Sequence, residues 1–209
     1  CCVKLGSLAG GLQKGTYNST GISTARSSER SVTTALPPIA AATTSIETKM
    51  SAVAFTVTGL PIYGPLEGPT PTAEAYGDPV YNELLDTCGG HTGYNADYHN
   101  HQVFAIAACS LEETIIGYAL DGFPIYSNPS YTLKSGYEKT GNPKSYSFNA
   151  YTYTGATGTL DECNGQKQSD GSYRYYITES FPYVIGCYTG TAKKQTGVAA
   201  QAINMDHHK

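Results

Sequence analysis

The sequence predicts a mainly β, disulfide-braced domain built from two related repeats, with long loops, short helices and an extended N-terminal arm. Three observations predict it. Motifs recur in the same order along the chain, four of the six cysteines fall at matched intervals within those motifs, and the composition is rich in Tyr (18) and Gly (23) but only 14% charged, with no Trp. Gly59-Leu60-Pro61-Ile62-Tyr63 returns as Gly122-Phe123-Pro124-Ile125-Tyr126. Asp86-Thr87-Cys88-Gly89-Gly90 returns as Asp161-Glu162-Cys163-Asn164-Gly165, and Tyr98-His99-Asn100-His101 as Tyr173-Arg174-Tyr175-Tyr176. The last two pairs share one offset, since 163−88 and 174−99 both give 75. A fixed offset of this kind is the mark of a duplicated supersecondary unit.

From the N-terminus, residues 1–50 read as an arm. Of the 18 Tyr and 5 Phe only Tyr17 lies there, and none follows Tyr188, so this Ser/Thr-rich stretch lacks the apolar surface to offset its own ordering entropy. Ser31 to Leu36, Ile39 and Thr43 to Thr48 are rich in β-branched residues, which favours strand if the arm becomes ordered. Pro37-Pro38 divides that strand or confines it to an edge. The compact domain is placed at 51–190, with repeats at 51–113 and 114–190, and a polar tail at 191–209. Within it Val53, Phe55 and Val57 alternate with small or polar residues, a half-buried strand. Val80–Leu85 and Glu112–Leu120 are expected as short helices. His99 and His101 stand two apart on a strand and so share a face. Tyr146, Phe148, Tyr151 and Tyr153 read as a strand with one slip.

Matched spacing makes Cys88–Cys109 and Cys163–Cys187 the economical disulfides, each closing a local loop worth on the order of 3 kcal/mol by chain entropy. Crossed pairing between the repeats stays open on sequence grounds. Zinc held by the cysteines is the rival, weakened by the lack of any Cys-x-x-Cys pair. Cys1 and Cys2 then have no internal partner and suit intermolecular bonds; a lipid-modified N-terminal Cys is the lesser alternative. Asn18-Ser19-Thr20 is an N-glycosylation sequon, whereas Pro129 disqualifies Asn128. Disulfides and a sequon place the chain in an extracellular, secreted or cell-surface setting. A net charge of −4 with 13 scattered Lys and Arg offers no footprint for nucleic acid, and no apolar run is long enough to span a bilayer.

These motifs, from Gly59 to about Thr191, resemble the YHYH-domain family, named for a Tyr-His-Tyr-His strand. The resemblance also rests on Gly117-Tyr118-Ala119-Leu120-Asp121 and on Phe181-Pro182-Tyr183. It implies a secreted or cell-surface setting without an established shared reaction. This chain departs from the family pattern at Asn100, where the motif has its second Tyr, and at Arg174, where the second copy usually keeps a His.

His91, His99 and His101 are three of the five histidines, and their clustering points to imidazole ligands for Zn or Cu. Asp86 or Asp121 would orient an imidazole or complete the coordination. The structural alternative is a set of histidines hydrogen-bonded in a polar core. Gln166, Arg174 and Tyr176 occupy the matching places of the second repeat, so that half is silent toward metal. Arg174 is expected either to replace a lost cation among Asp161, Glu162 and nearby tyrosines, or to stand exposed on its strand. His207-His208 belong to the tail.

No Gly-x-Ser-x-Gly elbow, phosphate loop or His-Glu-x-x-His helix is present, and the balance leans against an enzyme. Two functions remain. The sequence favours a non-catalytic structural subunit of an extracellular glycoprotein assembly. Its arm would add a strand to the next copy, giving a head-to-tail homopolymer, with tyrosines as interface and glycan-stacking surfaces. The alternative is a secreted metal-binding module or metalloenzyme using His91, His99 and His101.

Overall fold

The computed structural model of the chain describes residues 37–93, 96–111, 114–156 and 158–193. Twelve short strands form there: β1 (Thr44–Ser45), β2 (Ala54–Thr56), β3 (Pro61–Ile62), β4 (Gly90–Thr92), β5 (Tyr98–Asn100), β6 (Ile115–Ala119), β7 (Pro124–Tyr126), β8 (Tyr137–Lys139), β9 (Tyr151–Tyr153), β10 (Gly165–Lys167), β11 (Tyr173–Tyr176) and β12 (Cys187–Tyr188). The only helical turns among the described residues are 3-10, at Thr72–Glu74, Ala107–Cys109 and Ser147–Ala150. The mainly β expectation holds.

Eight strands make one sheet in the order β10-β11-β7-β6-β2-β3-β5-β4. From either edge inward the pairing runs antiparallel, parallel, antiparallel, and β2 meets β6 antiparallel at the centre. At each edge, a glycine lies beneath a tyrosine of the neighbouring strand. A Cβ on Gly90 would collide with the Tyr98 ring, and one on Gly165 with the Tyr173 ring, so both positions need the hydrogen side chain to let the ring lie flat. Each of these tyrosines donates its hydroxyl to an aspartate at the preceding turn, Tyr98 to Asp86 and Tyr173 to Asp161. Each aspartate in turn accepts two backbone N–H groups, from Cys88 and Gly90 and from Cys163 and Gly165.

Burial follows the sheet. Val53, Ile62, Ile116, Ile125, Tyr175 and Tyr188 are almost wholly enclosed. Asp78 is fully buried yet satisfied, accepting the hydroxyls of Tyr151 and Tyr183 at 2.7 and 2.6 Å and the N–H groups of Val80 and Tyr81. Such a carboxylate needs no cation to be stable in the interior.

Three local expectations change. The helix expected over Glu112–Leu120 is instead strand β6 from Ile115 onward, because β-branched Ile115-Ile116 and Gly117 suit a sheet. A Cβ on Gly117 would strike the Phe55 carbonyl of the adjoining β2, and short apolar runs do not by themselves separate helix from strand. Val80–Leu85 forms hydrogen-bonded turns on Asp78 that stop at Glu83, whose φ is 56°. Of the aromatic run Tyr146–Tyr153 only Tyr151–Tyr153 is strand; Tyr146 sits at φ 54° before the 3-10 turn.

The folded body reaches N-terminal of residue 51. Within 37–50, Ala40 donates to the Thr189 carbonyl, β1 pairs with β12 of its own chain, and Ile46 is fully buried. Cys1, Cys2, Asn18, Ser31 to Leu36 and His207-His208 lie outside the described residues.

Candidate metal centre

Hairpin β4–β5 places two of the histidines face to face. Gly90 pairs with Asn100, His91 with His99 and Thr92 with Tyr98. Directly opposed residues project from the same side of a sheet at short range, and His101, two residues beyond His99, projects there too. The face is completed by Glu67 from the loop after β3, which runs parallel beside β5.

Four donor atoms converge. His101 Nε2 lies 3.2 Å from His91 Nε2 and 3.1 Å from His99 Nε2. Glu67 Oε1 lies 2.9 Å from His91 Nε2 and 3.0 Å from His101 Nε2. All four lie within 4.8 Å of one another. The three imidazole centroids are 4.8, 5.1 and 4.9 Å apart, a nearly regular triangle.

The outer nitrogens decide what this convergence means. His99 Nδ1 faces the Asp97 carbonyl at 3.1 Å and His101 Nδ1 faces the Gly64 carbonyl at 2.6 Å. A carbonyl only accepts, so each Nδ1 carries the proton, and each neutral ring turns the Nε2 lone pair inward. Two lone pairs 3.1 Å apart repel unless a proton or a cation lies between them. Glu67 Oε1 is buried and lies 2.9 Å from His91 Nε2 and 3.0 Å from His101 Nε2, so a carboxylate oxygen points into the same space. Backbone carbonyls that fix tautomers from behind are the usual support of metal-binding imidazoles.

Charge follows the same logic. Burial, together with neighbouring His101, pushes the His99 imidazole down to about 4. His91 is also lowered, chiefly by burial and against the attraction of Glu67. Burial opposes ionisation of Glu67, but the adjoining His101 and His91 outweigh it and hold the carboxyl below its usual range. His91 and His99 are therefore biased toward the neutral, ligating form and Glu67 toward the charged form. Tyr63 stacks on His99 with ring centroids 4.0 Å apart and limits its rotation.

The residues fit a first-row transition ion. Zn–N bonds of about 2.0–2.1 Å put tetrahedral donors roughly 3.3–3.4 Å apart; four of the six donor pairs lie at 2.9–3.2 Å, and all six lie within 4.8 Å. His101 Nε2 is near all three other donors, whereas in a square plane every donor has one partner about 4 Å away on the far side. That geometry, the usual preference of Cu(II), does not match.

The carboxylate expected from the sequence is elsewhere. Asp86 holds the turn into β4 and accepts the Tyr98 hydroxyl at 2.9 Å. Asp121 accepts the Tyr175 hydroxyl at 2.6 Å and the Gly190 N–H at 3.0 Å. Glu67 was not singled out by the sequence. Its one signal is that Gly64-Pro65-Leu66-Glu67 follows the first Gly-Leu-Pro-Ile-Tyr motif, where the second is followed by Ser127-Asn128-Pro129-Ser130.

At the other edge Gln166 pairs with Arg174. Arg174 neither replaces a cation among Asp161 and Glu162 nor stands free. Its guanidinium lies 4.5 Å from the Tyr126 ring centroid, while Asp161 is occupied by the Tyr173 hydroxyl. Tyr176 stands 6.0 Å from Tyr126, as His101 stands 6.0 Å from Tyr63.

Both local disulfides form, Cys88–Cys109 and Cys163–Cys187, and crossed pairing is excluded. Among the described residues no helix is long and apolar enough to cross a membrane. Two clefts, about 290 and 420 Å³, lie away from the histidines, the first beside Met50, Tyr76 and Tyr146 and the second beside Val80, Asp86 and Phe104. In comparisons with known proteins, a family model described as YHYH protein matches residues 31–190. No curated protein and no solved structure matches the chain.

Proposed function

The chain belongs to the YHYH protein family, and from that premise we propose that it is a non-catalytic extracellular module that holds one divalent transition ion, Zn(II) above Cu(II). The ligands are His91, His99, His101 and Glu67. The observation that carries this reading is the pair of imidazoles, His99 and His101, whose Nδ1 protons are committed to carbonyls while their Nε2 atoms meet at 3.1 Å. Bound metal would join the β4–β5 edge to the Glu67 loop. Four protein donors around a tetrahedral ion leave no position for a substrate, the pattern of structural rather than catalytic zinc. Two disulfides support an oxidising compartment. The matched order of pairing on the two sides of β2 and β6 supports descent of both halves from one unit.

Head-to-tail polymerisation through residues 1–50 stays a separate proposal. The part of that arm within the described residues, β1, is paired with β12 of its own chain, so the metal centre carries the functional reading. The test is titration of metal-free protein with Zn(II), followed by calorimetry and by thermal melting. One equivalent should bind and raise Tm, as any ligand of the native state must, and His99→Ala should remove both effects. Absence of stoichiometric binding by the wild-type chain would overturn the reading.

A further inference from the structure

All three histidine ligands lie inside the loop that the Cys88–Cys109 bond closes, a sequence separation of 21. The turn bearing Cys88 is fastened along the ligand strand. Cys88 O accepts Asn100 Nδ2 at 3.0 Å, and Asn100 stands between His99 and His101. Gly89 O accepts the His101 N–H at 3.0 Å and the Gln102 N–H at 3.1 Å. Asp86, at the start of the turn, takes the Tyr98 hydroxyl at 2.9 Å. Residues 98, 100, 101 and 102 are thus all bonded to one five-residue turn, and the disulfide anchors that turn to the 3-10 segment Ala107–Cys109.

The two disulfides differ in access. Cys163 and Cys187 are 1% and 8% exposed and belong to the hydrophobic core, whereas Cys88 and Cys109 are both only half-buried. A thiol reagent reaches the bond of the metal-bearing half first, because exchange requires access of a thiolate to a disulfide sulfur.

We propose that the Cys88–Cys109 disulfide is a thiol-sensitive latch on the metal centre. It rests on the metal-binding reading above and names the regulation of that site. The natural reactant is a dithiol. One of its thiolates attacks a sulfur of the Cys88–Cys109 bond to give a mixed disulfide, and its second thiolate displaces the remaining protein thiolate. Two electrons pass to the protein, the dithiol leaves as its own disulfide, and its two protons end on the Cys88 and Cys109 thiols. The released turn no longer holds β5 in register, the three Nε2 atoms lose their common focus, and the ion departs.

The experiment uses the full chain loaded with Zn(II) and a water-soluble phosphine as reductant, since dithiols themselves bind zinc. The phosphine cleaves the bond with water, yielding two thiols and the phosphine oxide. Zinc release is read with a chromophoric chelator, and bond status by mass mapping. Apparent zinc affinity should fall roughly 10- to 100-fold, the range for loss of a support behind metal ligands, while Cys163–Cys187 stays intact and the tyrosine near-ultraviolet dichroism persists. A Cys88→Ser/Cys109→Ser double variant, which has no thiols there to bind zinc, should show the same weakened affinity without reductant. Equal zinc affinity in the oxidised, reduced and double-variant proteins would overturn the latch and leave the metal centre standing. Global unfolding when this one bond is opened would also overturn it, since the coupling is local. An oxidised wild-type chain that binds no zinc would overturn both readings.

Discussion

At one edge of the eight-stranded sheet His91 faces His99 across β4–β5; at the other, Gln166 faces Arg174 across β10–β11. Behind each hairpin stands the same brace: an aspartate gathering two turn N–H groups and a tyrosine hydroxyl, Asp86 with Tyr98 and Asp161 with Tyr173. Beneath each lies the tyrosine of the neighbouring parallel strand, Tyr63 under His99 and Tyr126 under Arg174. The backbone device is thus independent of the side chains it displays. One edge gathers three imidazoles and a carboxylate whose donor atoms lie within 4.8 Å of one another; the other supplies its own cation, set on an aromatic face. The second edge is braced without any metal cluster of its own at the matching positions, and the ion proposed for the first would be added to the same brace.

That contrast can be broken most directly at the ligands. His101→Ala removes the imidazole present in three of the four short donor contacts and should lower zinc affinity by at least about 100-fold, beyond the range seen for supporting residues alone. Arg174→Ala should leave zinc affinity unchanged in the same titration. Acid sharpens the comparison next. His99 sits near 4 in the folded chain against about 6.5 when unfolded. Between those values the unfolded state binds more protons, so stability present above pH 6.5 is lost as pH falls through this window. Melting of the metal-free protein from pH 7 to pH 4 should show Tm falling, and His99→Phe should flatten part of that slope.

The braces should differ in cost. Asp161 is more enclosed than Asp86, and burial raises its carboxyl where backbone and Tyr98 hydrogen bonds overcome burial to lower that of Asp86. Asp161→Ala would strand Cys163 N, Gly165 N and the Tyr173 hydroxyl in a buried setting, at about 2–3 kcal/mol, while Asp86→Ala should cost about 1 kcal/mol because water replaces it. Chemical denaturation of both variants checks the order. The smallest effect belongs to Arg174→Ala, where loss of the cation–π contact should cost only about 0.5–1 kcal/mol of stability.

How much of this the sequence disclosed depended on range. The His-x-His spacing on a strand and the matched cysteine intervals are local patterns, and they led to the three histidines that the structure brings together and to both disulfides. Glu67 was hidden because it reaches the site only through the parallel pairing of β3 with β5 and through Ile46, which packs against Gly64 in the same loop. Tyr126 was hidden as the partner of Arg174 for the same reason, since parallel β7 and β11 are brought together from far apart in the chain. Ile46 also shows why the aromatic count placed the domain boundary late: one fully buried aliphatic residue can commit a segment that lacks aromatics. Asp86 and Asp121 looked like ligands because aspartates near histidines suit metals, whereas their oxygens are spent on tyrosine hydroxyls and backbone N–H groups.

The central claim is that one edge of the sheet holds an ion and its counterpart does not. The most direct measurement is metal stoichiometry by elemental analysis of zinc-equilibrated, exhaustively dialysed full chain, beside Glu67→Ala and His99→Ala. One zinc per wild-type chain, falling toward zero in both variants, is the result expected. Zinc-free wild-type protein, or a zinc content unchanged in the variants, would contradict the account.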